Sequence, residues 1–528
     1  MNIRELLESR AQSNPQKVCL YYQDQKITYS DFNRQVNKTA NSLLRLGINK
    51  GDTFAIMVPN SPEFLYAWFG LNKIGAVEVP VNLNLKGPEL EYIFNHSEAR
   101  GVVLHSNHIS TFEEIRANLP KLKYVIVVGG ETPSLKGAFL YKDWTAGASE
   151  ELKSVTIADD DPAVIIYTSG TTGNPKGVQL SHRGWVLTGE SWAYMIGAKS
   201  DDRIMTSNPL FHANAQCYST MGSLAANASL ILLEQFSRSR ILEQARHYGS
   251  TILVLVGPAM PMVWSRPVQP DDGDNPIRTI MAGGVSAEYY YDFEKRFQVK
   301  IHTAYTLTEA TYAIMAPREG TQPRKPTPGV GVPMEHPYPS IRNEIRIIDD
   351  NGKDVPRGTQ GQIIVRNPAV MLGYLKDTEK TAETKRDGWI YTGDISYQDP
   401  DGYYFFVGRS KDVLRRRGEL ISPAQIEGVI NAHPRIADSA VIGVPSGLGT
   451  AEEEVKAYVI LKAGESVTPQ ELVAWCQKSL ADFKVPRYIE FRTEFPRTPL
   501  GKIQKNILKT EKKDLTEGCY DRMKEAKK

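Results

Sequence analysis

The chain has 528 residues, 41% hydrophobic and 23% charged, so its length calls for two or more folding units rather than one small core. Lys+Arg of 63 against Asp+Glu of 61 leaves a net charge of +2, which gives no support for a nucleic-acid or polybasic membrane partner. The four cysteines, Cys19, Cys217, Cys476 and Cys519, contain no CxxC pair, so neither a disulfide framework nor a zinc site is indicated.

The opening Met1-Asn2-Ile3-Arg4-Glu5-Leu6-Leu7-Glu8 is charged and lacks the apolar core of a signal peptide. From Ser30 the spacing of Phe32, Val36, Ala40 and Leu43 predicts an N-capped helix. Residues 55–58 read as a strand, and Phe64, Ala67 and Leu71 as a helix. Strands at 76–81, 102–104 and 124–128 follow, separated by further helices. Strands alternating with helices predict a parallel, doubly wound sheet. The polar stretch Ala158-Asp159-Asp160-Asp161-Pro162 then breaks the pattern.

Next comes Ala163-Val164-Ile165-Ile166, the kind of run found in a strand buried on both faces. It leads into Tyr167-Thr168-Ser169-Gly170-Thr171-Thr172-Gly173-Asn174-Pro175-Lys176-Gly177. The glycines let successive backbone N–H groups converge into an anion site, the hydroxyls add donors, and Lys176 adds a charge. A plain Gly/Ser/Thr hairpin tip is the bland alternative. A Walker loop is excluded, because counting GxxxxGK[ST] from Gly170 needs glycine at Pro175 and a hydroxyl at Gly177. Val178 and Leu180 resume a period-2 pattern, so the loop joins strand to strand. Only then does Ser181 cap a helix with Trp185, Thr188, Trp192 and Met195 on one stripe.

A second α/β stretch occupies about 200–320. Its most apolar run, Thr251 to Trp264, is short and broken by Gly257, Pro258 and Pro261, far from the ~20 residues of a membrane span. Beyond Pro323 glycines punctuate short strands such as 345–348 and 362–365, a small β-rich subdomain. After Gly408 a compact α+β domain of about 120 residues is expected. In it Ser422-Pro423 opens a helix, strands follow at 440–444 and 455–461, and Thr468-Pro469-Gln470-Glu471 forms a capping box. The C-terminal Glu525-Ala526-Lys527-Lys528 carries no peroxisomal tripeptide, and a cytoplasmic protein is expected.

Several of these stretches together resemble the AMP-forming, adenylate-forming enzymes: acyl-CoA synthetases, peptide-synthetase adenylation domains and luciferases. Besides the 167–177 loop, the likeness rests on Gly283-Gly284-Val285-Ser286, Tyr305-Thr306-Leu307-Thr308-Glu309 and Tyr391-Thr392-Gly393-Asp394. It continues through Gly408-Arg409-Ser410-Lys411-Asp412 and Pro496-Arg497-Thr498-Pro499-Leu500-Gly501-Lys502-Ile503. Singly, each has a bland reading as a turn, a cap or a solvated charge; their order across more than 300 residues does not.

The resemblance implies an α/β fold of doubly wound subdomains plus a β-rich subdomain (about 323–408) within an N-terminal domain 1–408. A mobile C-terminal domain 409–528 follows. By the same likeness Thr168, Ser169, Gly170, Thr171, Thr172, Gly173 and Lys176 hold the β- and γ-phosphates of ATP. Gly283 and Gly284 border adenine and the acyl site, Tyr305 stacks on the base, and Thr308 meets the α-phosphate. Glu309 holds Mg²⁺, a hard cation that prefers oxygen ligands. Asp394 and Arg409 bind the ribose, Lys411 is the hinge, Lys502 is the catalytic lysine, and Gly418 lines the pantetheine tunnel. The neighbouring Arg415, Arg416 and Arg417 either meet CoA phosphates or lie on a solvated strand face.

The implied activity is adenylation of a small carboxylic acid with pyrophosphate release, then transfer to CoA. Thr306 stands where the family has glycine, which alters the pocket beside the acyl group. Pro209-Leu210-Phe211-His212-Ala213-Asn214-Ala215-Gln216 corresponds to the mouth of that pocket. Asn214 and Gln216 suggest a polar or small acid, while His212 is read equally well as a core histidine. This pattern is similar to carnitine- and crotonobetaine-CoA ligases. The rivals are an adenylating enzyme that loads a carrier-protein thiol, a luciferase-type oxygenase, and a silent nucleotide-binding relative.

Overall fold

Short β-branched runs and amphipathic helices assemble, among the described residues, into two large sheets and two small ones. The computed structural model describes residues 1–130, 135–153, 155–168, 174–256, 259–283, 285, 289–325, 329–349, 351–409, 414–416, 419–421, 423–446, 452–497 and 503–525. The architecture is α/β, with a large N-terminal part and a small C-terminal α+β domain.

In the first sheet the parallel strands Val77–Pro80, Thr53–Met57, Gly101–His105 and Tyr124–Val128 form the centre. Pro162–Thr168 joins them in parallel, and its hairpin partner Lys176–Ser181 runs back antiparallel. Ala163, Val164, Ile165 and Ile166 are all buried, as a strand covered on both faces should be. The second sheet is built around Ser229–Leu232, Arg203–Thr206, Ile252–Leu255, Thr279–Ala282 and Lys300–Leu307, again parallel.

That sheet does not stop where the sequence texture changes. Lys300–Leu307 turns into Ala310–Met315, which pairs with Gly329–Pro333 and so carries the hydrogen-bonded path into the β-rich strands. Gly331 makes this crossing possible. Its φ is +145°, and a Cβ would stand 1.9 Å from the Met315 carbonyl oxygen.

Two local expectations change. The helix Tyr29–Arg45 is capped by Thr28, whose Oγ1 accepts from Asp31 N at 3.1 Å, so its cap lies two residues before Ser30. The strand Val18–Tyr22, which has no counterpart in the sequence reading, forms a hairpin with Gln25–Thr28 and has a distant partner on its other edge. It pairs in parallel with Ser229–Leu232 in the second sheet.

One apolar cluster contains Ile56 and Ile126 of the first sheet, Ile204 and Val254 of the second, and Trp68, Trp185 and Trp192. The helices Pro62–Lys73 and His182–Ile196 therefore pack against both sheets. In the latter, burial extends well beyond the predicted stripe. His182 opens that helix fully buried, with neither ring nitrogen hydrogen-bonded among the described residues. Burial pushes its pKa down to about 4 from 6.5.

The unfolded chain takes up that proton near its ordinary pKa, whereas the native state resists it down to about 4. Stability from a neutral His182 is therefore complete above pH 6.5 and is lost as the pH falls through about 4. We expect His182→Leu to lose about 2 kcal/mol less stability than the parent between pH 7.5 and pH 5. Melting curves at the two pH values check this. Equal losses in both proteins would remove His182 as the sensor.

The small domain holds the sheet Ile436–Pro445, Glu453–Leu461, Tyr488–Arg492, Tyr520–Asp521. The capping box at Thr468 and Glu471 opens Pro469–Ser479 as expected. This domain meets the helix Gly87–Ser97 of the large part through Leu90, Leu472 and Leu480 in one apolar cluster. A buried ion pair, Lys484 to Glu89, seals the contact.

Candidate active site

The 162–181 hairpin carries the loop expected to hold phosphates. Thr168 pairs with Lys176 as the last rung before the loop residues, so the first hydroxyl and the lysine face each other across its base. Gly177 is required just behind them, because a Cβ there would press to 2.9 Å from Ile165 Cγ2. Tyr167 is steadied from outside by His96, with Nδ1 and the phenol oxygen 2.8 Å apart. The predicted residues Ser169, Gly170, Thr171, Thr172 and Gly173 lie outside the described residues.

The second sheet delivers its groups at a tight hairpin. Leu307 pairs with Ala310, so Thr308 and Glu309 form the tip itself. Tyr305, upstream on the same strand, donates its hydroxyl to Asp394 Oδ2 at 2.7 Å. Asp394 is 1% exposed, its backbone N–H donates to Thr392 Oγ1 at 3.0 Å, and its strand pairs it with Arg409. Gly283 follows the adjoining Thr279–Ala282, and among the described residues a Cβ there would meet Ala304 O at 3.9 Å, an ordinary contact. An aromatic ring, a fixed carboxylate and a glycine backbone thus lie on neighbouring strands, as recognition of a nucleoside needs.

At the Glu309 end, Tyr374 donates its hydroxyl to Glu309 Oε1 at 2.7 Å, and Lys176 Nζ lies 5.1 Å from the centre of the same ring. No group of three or more His, Cys, Asp or Glu among the described residues could hold a metal alone. One carboxylate beside a lysine expected to meet phosphate fits magnesium, which is commonly held by one or two carboxylates together with substrate phosphates. Gly284, Lys411, Gly418 and Lys502, and the side chain of Arg409, lie outside the described residues.

The residues at the acyl side divide. Asn208, Asn214 and His212 cluster at the start of a π-helix, Asn214–Thr220, a rare form that is frequent at functional sites. Asn208 Nδ2 donates to Asn214 Oδ1 at 2.7 Å, and the half-buried His212 ring lies 4.5 Å from Phe211. Gln216 is different. It is fully buried, its Nε2 donates to Glu78 Oε1 and Leu210 O at 2.9 Å each, and its Oε1 accepts from Trp185 Nε1 at 3.2 Å. Both amide protons are spent, so Gln216 braces the π-helix instead of reading a substrate with them. Thr306, in the glycine position, reaches the buried hydroxyl of Tyr218, which itself donates to Thr311 O at 2.7 Å.

Sequence reasoning passed over Glu78, Tyr218 and Tyr374. The signal for Glu78 was a lone acid inside Val77–Pro80, a strand buried throughout. Burial, only partly offset by the hydrogen bond from Gln216, pushes its carboxyl well above the ordinary range. Arg416 corrects a further expectation. It is 3% exposed, pairs with Glu454 at 2.7 Å and donates to Phe483 O at 2.7 Å. It therefore anchors its hairpin to the small domain's core and is neither on a solvated face nor open to a CoA phosphate.

Comparison with known proteins agrees with this geometry. The AMP-binding enzyme family matches residues 7–375, and the AMP-binding enzyme C-terminal domain matches 425–502. The crotonobetaine/carnitine–CoA ligase of Salmonella paratyphi A (strain ATCC 9150 / SARB42) is 34% identical over 521 residues, covering 96% of this chain and 99% of that protein. Among solved structures, an anthranilate CoA ligase with anthranoyl-AMP is similar at 29% identity and TM-score 0.73, covering 97% of each chain. An o-succinylbenzoate CoA synthetase from Bacillus subtilis with a CoA product analogue is similar at 25% and 0.82, covering 96% of this chain and 98% of that one. No helix among the described residues is long and apolar enough to cross a membrane. The chain belongs to the AMP-binding enzyme family and is an AMP-forming acid–CoA ligase, working on a carboxylate with ATP and CoA.

Proposed function

We propose that the chain adenylates a small polar carboxylic acid and passes the acyl group to CoA. The observation that carries the reading is the pair of clusters on one strand and its hairpin tip. Tyr305 and Asp394 form a nucleoside end, and Glu309, Tyr374 and Lys176 a phosphate end. A nucleotide spanning them has its α-phosphorus near Thr308. There the substrate carboxylate attacks in line and pyrophosphate leaves. Lys176 and Lys502 balance charge developing on the phosphoryl oxygens, and such preplaced charge is usually the largest single contribution to catalysis. Magnesium on Glu309 supplies further positive charge to the phosphates. The acyl-adenylate then meets the CoA thiolate, and AMP leaves.

For the acid, the Asn208–Asn214 pair beside His212 supports a polar substrate, and Gln216 no longer contributes to that argument. The curated relative, a ligase for crotonobetaine and carnitine, supports a short trimethylammonium acid of that kind. Pyrophosphate release measured against crotonobetaine, carnitine, short-chain, aromatic and long-chain acids, with and without CoA, tests both levels. We expect release and CoA-dependent thioester with the short polar acids. A preference for long-chain acids would refute the substrate class, and adenylate without thioester would refute CoA as acceptor.

A further inference from the structure

We propose that Tyr374 is a positioning residue that sets the spacing between the carboxylate of Glu309 and the ammonium of Lys176. The inference rests on the proposed metal role of Glu309 and deepens it.

The two groups come from different sheets. Lys176 begins a strand of the first sheet, and Glu309 caps a hairpin of the second. One short segment ties these supports together. Met371 N donates to Glu309 O at 2.9 Å, while Leu372 N donates to Gln179 O and Leu375 N to Gly177 O, each at 2.8 Å. Between them Gly373–Tyr374 pairs with the Lys176 strand, Tyr374 opposite Val178. The backbone therefore stitches the phosphate hairpin to the Glu309 tip at the point where Tyr374 stands.

The side chain then divides its two ends between the two charges. Its hydroxyl goes to Glu309 Oε1, and its ring face lies under Lys176 Nζ. Tyr374 is 7% exposed, and its own N–H donates to Thr381 Oγ1 at 2.8 Å. The carboxylate has no proton to give, so the phenol donates to Glu309. The helix Thr378–Thr384 lies tight against the backbone of this segment, where a Cβ on Gly373 would meet Thr381 Cγ2 at 2.9 Å. A rigid phenol thus occupies one defined oxygen of Glu309 and gives the lysine a defined seat.

Opposite charges on flexible stems in one partly buried site tend to pair with each other. A carboxylate released from Tyr374 swings more freely and presents its oxygens to a cation less often. A lysine released from the ring loses its cation–π contact and the seat that goes with it. The two losses are separable by substitution.

Tyr374→Phe deletes only the hydroxyl, and Tyr374→Leu deletes the ring too. The readouts are calorimetric binding of a non-hydrolysable ATP analogue with and without Mg²⁺, binding of AMP, and the Mg²⁺ dependence of pyrophosphate release. For Tyr374→Phe we expect roughly tenfold weaker Mg²⁺-dependent binding, the scale of one hydrogen bond to a charged group. A similar rise in half-saturating Mg²⁺ should accompany it, with AMP and metal-free analogue binding unchanged. Tyr374→Leu should additionally weaken the metal-free analogue. Adding Tyr374→Phe to Glu309→Gln should cost nothing further, since both act through one carboxylate. If Glu309→Gln shifts the Mg²⁺ dependence and Tyr374→Phe does not, the positioning role is wrong. If Glu309→Gln itself shifts nothing, the metal reading fails first. Tyr374→Phe keeps the buried ring, so a loss confined to melting temperature, with Mg²⁺ behaviour intact, also overturns the proposal.

Discussion

Glu309→Gln is expected to lower acyl-adenylate formation by about 10²–10³-fold at limiting Mg²⁺, the cost of losing one preorganised charge-stabilising group. Glutamine matches glutamate in size and can still accept from the Tyr374 hydroxyl, which now meets Glu309 Oε1 at 2.7 Å. The backbone bond from Met371 N to Glu309 O, at 2.9 Å, is untouched by the change. The hairpin tip should therefore keep its place, and the defect reports the missing charge. AMP should still bind, because Tyr305 and Asp394, its proposed nucleoside contacts, are untouched by the change. Pyrophosphate release titrated with Mg²⁺ is the measurement. Full turnover by Glu309→Gln at limiting Mg²⁺ would end the metal assignment.

Lys502→Ala should separate the two half-reactions. Family likeness gives this lysine to the adenylation step, so its loss should cut pyrophosphate release by roughly 10²–10³-fold. Thioester formation from supplied acyl-adenylate and CoA should stay close to the parent rate, because that step has no pyrophosphate charge left to balance. Single-turnover assays of each half-reaction check this. Equal damage to both halves would mean that Lys502 serves the fold or the nucleotide generally. The buried Glu89–Lys484 contact is a distinct element and should be unaffected by the substitution.

What was legible in the chain was mostly local. The 162–181 hairpin announces itself because strand, loop and strand are consecutive, and the pairing from Thr168↔Lys176 back to Val164↔Leu180 needs no distant partner. The Thr468 capping box is legible for the same reason, four residues serving one helix end. What stayed hidden depends on contacts between distant segments. Gln216 looks like a pocket amide until Glu78 and Trp185 are seen to claim it. Arg416 sits in a run of arginines that suggests a solvated charge or a phosphate site, yet Glu454 and the Phe483 carbonyl draw it inside. Tyr374 is one tyrosine among 25, and only the meeting of two sheets distinguishes it. The helix cap at Thr28 was missed by two residues because both candidates are hydroxyls, and hydrogen-bond geometry chooses between them.

The parallel pairing of Leu20 with Leu230 has a consequence for how the chain is made. The first strand leaves the ribosome roughly 200 residues before its partner does. At about 5–20 residues per second, that interval lasts roughly 10–40 s. Until then Val18–Tyr22 has only its hairpin partner Gln25–Thr28, and an isolated two-stranded hairpin is marginal in water. Its outer edge, an unpaired row of backbone donors and acceptors, is open to any other nascent strand. The N-terminal strand therefore enters the second sheet only after Ser229–Leu232 has been made. Overexpression that crowds nascent chains together should show its first losses as aggregation through this N-terminal hairpin.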